Sequence, residues 1–501
     1  MRLWRRMFTL SGWTLSSRVL GLYRDRLLAV HFGGSVLLDA FILAFQIPNL
    51  FRRLFGEGAL ASAFVPRYLR VRELDPIAGE AFAGLVLTRL ALLLGALAGA
   101  GMILAGVLAA LAAPDTAVVA ILALPQLPYL VFICFAGICA GALQVRAHFW
   151  VPAAAPVVLN LVLIATVLVW RDVTVLPYAV LLTGVLQAGA HLVALARTGG
   201  VPPLSTASTP ALRDLRSALG PTLLSAGMHQ VNTLLDSVIA YALVTRLEPT
   251  AVGAVSVLYF ANRLLQFPLA LIGHATGTAI YPELSRAAVD GYAATGAVLR
   301  RGTGILAFWL IPASVGLLVV AEPLVRALFQ AGSYDVALAD RTVLATRIFA
   351  AGVLPLALNM LLLRVFLAHL DQRWPLRIAL AAVALNLVLN VALVHTPLRE
   401  SGLVLASVVT GVLASLASMR ELRRRGTGQL FDAGSALVPL LAAAAMGLAV
   451  HLLLRWWAVP ASAGTGMHAM RLAAAVGVGG VIYAAAAGPW ARRRLKRGAA
   501  G

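Results

Sequence analysis

The sequence predicts an all-α integral membrane protein with about fourteen transmembrane helices. Three observations carry that prediction: an apolar excess, the length of the apolar runs, and basic residues that alternate between them. Hydrophobic residues make up 61% of the 501 and charged residues only 12%, with a mean hydropathy of +0.90. A soluble domain holds about 45–50% apolar and about 25% charged residues. So much apolar surface cannot hide in one soluble core, and the solvent must be lipid.

A helix needs about 20 mostly apolar residues to cross a bilayer. The expected spans are 10–32, 35–64, 82–112, 117–145, 153–170, 175–196, 217–245, 252–284, 298–320, 339–368, 376–395, 402–419, 434–455 and 468–490. The first, second, eighth and tenth contain charges and are recognised by their place in the series. The basic start of the chain (MRLWRR) is like that of a signal peptide. The apolar stretch after it, however, holds Arg18 and Arg24 and lacks a small-residue cleavage site, so a retained first helix is expected. In the fourth span, Cys134 and Cys139 have a spacing that fits no metal or redox motif and read as small core residues.

The loops test the series. With a cytoplasmic N-terminus, 24 basic residues fall on the cytoplasmic side, among them Arg67, Arg70, Arg72, Arg146 and the run after Arg492. Seven fall opposite: Arg171, Arg246, Arg326, Arg341, Arg399, Arg455 and Arg471. This loop-by-loop excess is the positive-inside pattern, and it places both termini in the cytoplasm. A net charge of +20 is also a nucleic-acid signature, but here it sits at the ends of apolar runs and not in one patch with stacking aromatics.

The segment 201–210 (VPPLSTASTP) reads as a linker. It divides the chain into residues 1–197, a lobe of six spans; 198–215, a cytoplasmic linker; 216–425, a second six-span lobe; and 426–501, two further helices with a basic tail. Traces of repetition join the lobes. LNLVL occurs at 159–163 and again at 385–389, each after a Trp/Pro turn, in the fifth and eleventh spans. Pro48-Asn49 in span two faces Ala261-Asn262 in span eight. Six spans per unit implies a pseudo-two-fold along the membrane normal, and transporters of this plan bind substrate between the halves near mid-membrane.

Nine arginines lie inside spans or at their buried ends: Arg18, Arg24, Arg26, Arg52, Arg53, Arg89, Arg263, Arg347 and Arg364. An arginine at the bilayer centre costs roughly 2.5–3.5 kcal/mol on insertion scales. Snorkelling to the headgroups is expected for Arg26, Arg53 and Arg89. The others must line a wet cavity or meet anions. At about 100° per residue, Ser17, Gly21 and Arg24 share one helical face, and Arg18 shares another with Asp25. Arg52 and Glu57 come from the end of the 41–55 stretch, where Pro48 is free to kink the helix. The guanidinium fork suits phosphate bidentately and stays charged in a dry site, although Lys496 is the sole lysine and codon bias explains part of the preference. Positive charge with few carboxylates nearby predicts an anionic substrate.

A drug/cation antiporter would need an acidic cavity. A polyprenyl-diphosphate enzyme would need clustered acids for Mg²⁺, and no Asp-Asp-x-x-Asp cluster is present. Without a G-x-x-x-x-G-K-[ST] motif the chain has no nucleotide motor of its own. An ion site is expected from Asp236 in span seven with Asn386 and Asn390 on span eleven; the alternative is an amide pair satisfying its own hydrogen bonds. His229 and His274 read as core histidines.

Residues 17–25 (SRVLGLYRD), Asp39-Ala40-Phe41, 48–59 (PNLFRRLFGEGA), 259–264 (YFANRL), Phe267-Pro268 and 328–332 (LFQAG) closely resemble the MurJ (MviN) family of lipid II flippases. The resemblance runs over nearly the whole chain. It implies the fold shared by multidrug, oligosaccharidyl-lipid and polysaccharide exporters: two six-helix lobes around a V-shaped cavity, with a final helix pair that grooves the lipid tail. It implies essential cavity arginines at Arg18, Arg24, Arg52 and Arg263 and functional acids at Asp39 and Glu57, with Ser17, Asp25, Asn49 and Arg53 lining the same site. It further implies lipid II, the undecaprenyl-pyrophosphate-linked peptidoglycan precursor, as partner, besides membrane lipids and other cell-wall synthesis proteins. The setting it implies is the bacterial inner membrane, with the chain a monomer and no enzyme. Some relatives bind sodium between the helices of Asp236, Asn386 and Asn390, so Na⁺ or H⁺ coupling, or the membrane potential, is the expected energy source, with no other cofactor. Two departures stand out: Asn262 and Gln266 occupy positions where family members commonly carry acids. A sister flippase for another undecaprenyl-linked glycan shares the same pyrophosphate chemistry.

Overall fold

The computed structural model describes residues 2–56, 59–205, 227, 230–244, 252–430 and 433–498. Among these the regular structure is all helical. The first half comprises α1 (Arg2–Phe32), α2 (Val36–Phe51), α3 (Ala59–Leu74), α4 (Pro76–Leu111), α5 (Pro114–Ala123), α6 (Tyr129–Val145), α7 (Trp150–Trp170) and α8 (Leu176–Arg197). The second holds α9 (Ala254–Pro268), α10 (Ala275–Ala287), α11 (Tyr292–Leu328), α12 (Val336–Ala368), α13 (Arg373–Val394), α14 (Glu400–Arg424), α15 (Ala433–Trp456) and α16 (Thr465–Gly498).

Local chemistry sets the boundaries. Ser35 Oγ accepts the Leu38 N–H and starts α2; Asp75 accepts from Ile77 and Ala78 ahead of Pro76; Asp335 accepts from Leu338 and starts α12. These are N-caps, filling donors that the helix leaves open. Ten helices among the described residues are long and apolar enough to cross a membrane, and the pair 114–126 and 129–145, bent by 40°, makes an eleventh. This is a multi-pass membrane protein. The helices at the first and second expected spans carry too much charge to pass on apolarity alone. Of the seventh, 217–245, residues 227 and 230–244 are described, and His229 is not.

The chain divides into two compact units, Met1–Tyr241 and Ala242–Gly501. In the first, α1 packs on α7, α6 on α8, and α3 and α6 on α4. A core of Phe64, Tyr68, Phe82, Leu94, Ile138 and Leu143 fills the space between the last three. Cys134 and Cys139 are buried free thiols in that core. In the second, α12 packs against α11 and α14, while α15 and α16 pair and lean on α11. That contact is close because its residues are small: Ala307, Ala442, Ala443, Ala475 and Ala487 meet there.

Each unit contains a helix broken by a wider π-turn. Pro48 precedes one at Arg52–Gly56, and Pro268 precedes one at Leu269–His274. Such turns arise where the regular ladder is interrupted, and they recur at functional sites. His274, expected in a core, ends the second of these turns and is exposed.

A polar knot closes the ends of α12 and α14. Arg425 Nη1 donates to Asp371 Oδ2 at 2.6 Å and to the Tyr292 hydroxyl at 2.7 Å, and Nε donates to Glu421 at 2.9 Å. The His369 ring stacks on Tyr292 with centroids 3.7 Å apart. Burial, and then the Arg425 charge, hold the His369 imidazole below its usual value. Burial pushes Asp371 up, but hydrogen bonds from Arg425 and from the Arg373 and Trp374 amides outweigh it and leave the carboxyl low. Both groups therefore bind fewer protons folded than unfolded, so stability rises with pH through their titration. The contribution of His369 is full above about pH 6.5 and that of Asp371 above about pH 3.9, and each is lost as pH falls further. Melting in detergent should show the folded state weakening from pH 7 to pH 5, with His369→Gln flattening that slope.

Candidate functional site

α1 and α7 build the first cluster. Ser17, Gly21 and Arg24 do share one face of α1, and α7 presents Asn160 to it. Asn160 Nδ2 donates to the Ser17 carbonyl at 2.9 Å and lies 3.5 Å from Ser17 Oγ, while its Oδ1 accepts from Arg24 Nη1 at 3.0 Å. A Cβ on Gly21 would meet the Asn160 amide at 3.6 Å, an ordinary packing distance, so the Gly21 face lies directly against α7. Arg24 turns its other edge to Asp25 Oδ1, with Nε at 3.0 Å and Nη2 at 2.6 Å. Arg24 is 4% exposed and Asp25 fully buried. The carboxylate offsets the cost of burying the guanidinium, and the amide oxygen fixes its orientation. Arg18, by contrast, is exposed on the surface of its unit.

The second cluster stands at the π-turn after α2. Arg52 directs Nε and Nη2 at Asn49 Oδ1, at 3.0 and 2.8 Å. Arg53, expected to snorkel, is half-buried and donates Nη1 to Gln230 Oε1 at 3.0 Å. The acceptor comes from a distant part of the same unit. Asp39 is buried in the first turn of α2, where the helix dipole favours a carboxylate. Glu57 lies outside the described residues.

In the second unit Arg263 is half-buried on α9. It donates Nη2 to the Tyr259 hydroxyl at 3.1 Å, with its guanidinium carbon 5.4 Å from the Tyr259 ring centre. Asn262 and Gln266 flank it, half-buried. On α13, Asn390 Nδ2 donates to Asn386 Oδ1 at 2.8 Å and Asn386 Nδ2 to Ser407 Oγ at 3.2 Å. The two amides thus bond to each other, side by side on one turn of α13. Asp236 is half-buried in the other unit. Among the described residues no three His, Cys, Asp or Glu side chains gather as metal ligands.

The bonds from Arg52, Arg53 and Arg263 just described go to neutral oxygens. A phosphate oxygen in the same place would set an opposite charge against each guanidinium and allow a bidentate pair. Each such fork by itself is chemically suited to an anionic, oxygen-rich group.

The family model described as lipid II flippase MurJ matches residues 28–473. The chain belongs to the MurJ family. It is 32% identical to the lipid II flippase MurJ of Burkholderia cenocepacia, over 94% of this chain and 93% of that one. The probable lipid II flippase MurJ of Vibrio cholerae is also 32% identical, over 97% and 95%. In fold the chain resembles a solved lipid II flippase MurJ in its inward closed conformation, with a TM-score of 0.79 at 20% identity, covering 97% and 99%. It also resembles an inward-facing multidrug resistance MATE transporter, with a TM-score of 0.67 at 16% identity, covering 81% and 94%. MurJ membership makes the chain a transporter and not an enzyme.

Two residues that organise the clusters were not legible as site residues in this MurJ sequence. Asn160 was visible only as the asparagine of the repeated LNLVL. Gln230 carried no signal at all.

Proposed function

We propose that this MurJ-family chain flips lipid II from the inner to the outer leaflet of the bacterial inner membrane and so supplies peptidoglycan synthesis. The observation that carries this reading is the family match, which spans residues 28–473 and includes the blocks bearing Arg52, Arg53 and Arg263. In this reading fourteen spans form two six-helix lobes, 1–197 and 216–425, joined by a cytoplasmic linker at 198–215. A pseudo-two-fold along the membrane normal relates the lobes, residues 426–501 add the lipid-tail groove, and both termini are cytoplasmic. The chain acts as a monomer, with membrane lipids and other cell-wall synthesis proteins as its remaining partners.

Arg18, Arg24, Arg52 and Arg263 take the pyrophosphate by alternating access. Ser17, Asp25, Asn49 and Arg53 position them, and Asp39 and Glu57 tune release. The inside-negative potential contributes about 2.3 kcal/mol per negative charge moved outward per 100 mV. Na⁺ held by Asp236, Asn386 and Asn390, or a proton, supplies further coupling.

The deciding experiment depletes the chain in its host and measures lipid II arriving on the outer leaflet. Arrival should stop, and restoring the chain should restore it. Unchanged arrival in a host with no second flippase overturns the reading; arrest of a different undecaprenyl-linked glycan would reassign the substrate.

A further inference from the structure

The last helix, α16, opens with two buried polar side chains that the transport reading leaves unused. His468 is fully buried and Arg471 is 3% exposed. Arg471 Nη2 donates to the Leu454 carbonyl at 2.9 Å, closing one of the carbonyls that the end of α15 leaves open. Its Nε and Nη1, and both ring nitrogens of His468, have no hydrogen-bond partner among the described residues.

The neighbouring carboxylates are already engaged. Arg326, buried at the end of α11, pairs with Asp340 at 2.6 Å and with Glu322 at 3.2 Å. The same arginine donates to Gln330 Oε1 at 2.6 Å, and Gln330 Nε2 donates to the Ala461 carbonyl at 2.5 Å. Gln330, from the LFQAG block, thus ties the connection between α15 and α16 to the end of α11 and fixes the entrance to α16. The Ala461 carbonyl, which accepts that bond, also lies beside the His468 ring.

A buried guanidinium keeps its charge, and leaving it without a counter-ion is among the costliest arrangements a fold can hold. The free guanidinium donors of Arg471, beside the His468 ring at the start of a helix where the dipole is positive, call for an oxygen-rich anion. We propose that Arg471 and His468 form a binding site for one phosphate-type oxyanion. The source is free orthophosphate or the phosphate of an anionic lipid, and the anion is the counter-ion that holds α16 against α15. The site is separate from the arginines assigned to lipid II and does not depend on what the chain transports.

The test uses the purified full chain and reads its melting temperature. One arm adds inorganic phosphate in detergent, against chloride at equal ionic strength. The other compares nanodiscs of phosphatidylcholine with nanodiscs containing phosphatidylglycerol. Either phosphate or phosphatidylglycerol should raise the melting temperature of the unaltered chain by several degrees. A rise with phosphate in detergent identifies the free ion; a rise confined to phosphatidylglycerol identifies the lipid. In Arg471→Met the half-saturating concentration should increase about tenfold or more, as loss of a charge-assisted bond requires. Should that variant not purify, His468→Leu removes the ring nitrogens and should weaken the response in the same direction. No rise in either arm, a rise equal to that given by chloride, or an unchanged response in the variants overturns the proposal and leaves only water at the site.

Discussion

Arg24→Ala should abolish lipid II transport and also lower the amount of folded protein, and the two losses have separate causes. The first follows if the fork that Asn160 and Asp25 hold in place is what meets the pyrophosphate. The second follows from Asp25, which is fully buried and pairs with Arg24 at 2.6 Å. Removing the arginine strands that carboxylate, and breaking a buried pair by deleting one partner costs about 3–5 kcal/mol. The alanine variant alone therefore cannot assign a transport role.

Two companions separate the effects. Arg24→Lys keeps the charge but not the planar fork, so it should fold and transport at least about tenfold more slowly, the equivalent of one charge-assisted bond. Arg24→Met combined with Asp25→Asn removes both charges at once and should recover membrane abundance without recovering transport. Complementation of a depleted host, scored together with protein level and outer-leaflet lipid II, reads all three. If the double variant is abundant and transports normally, Arg24 serves only as the counter-ion of Asp25.

The membrane class was legible because burial in lipid leaves a compositional mark that no tertiary detail can erase. The face shared by Ser17, Gly21 and Arg24 was legible for a similar reason, since helical periodicity depends only on spacing. What that face meets was not legible, because Asn160 lies more than a hundred residues away and nothing local marks its partner. Arg53 shows the same limit: nothing local in the sequence marks Gln230 as its acceptor. Arg18 and Arg24 looked alike as charges within an apolar run, yet one is exposed and the other buried. Six residues of helical rotation separate them, and only packing against α7 decides which side is covered. The π-turns at Arg52–Gly56 and Leu269–His274 had only their prolines as a signal. A proline predicts a disturbance without specifying its geometry, so neither the π-turns nor the exposure of His274 could be read.

Gly84→Val and Gly296→Val should each prevent stable folding, for one reason that arises twice. A Cβ on Gly84 would stand 1.7 Å from the Pro203 carbonyl oxygen, and one on Gly296 would stand 2.0 Å from that of Thr427. Both obstacles are backbone, which cannot rotate away as a side chain does. The crossing segments are also fastened: Ser205 N–H donates to Thr88 Oγ1 at 3.2 Å, and Thr303 Oγ1 donates to the Leu430 carbonyl at 2.7 Å. Relief therefore means lifting residues 201–205 or 427–430 off their helices. Overpacking costs about 1–3 kcal/mol even where side chains can shift, and more where they cannot. Gly95, on the same α4, has nothing within 4 Å, so Gly95→Ala should be neutral or stabilising by up to about 1 kcal/mol. Membrane abundance and melting temperature of these variants make the comparison. If Gly84→Val matches Gly95→Ala, the 201–205 segment is not held against α4. If both glycine crossings fail alike, the chain leaving each half is anchored on a helix of that half by the same device, as a duplicated unit would retain it.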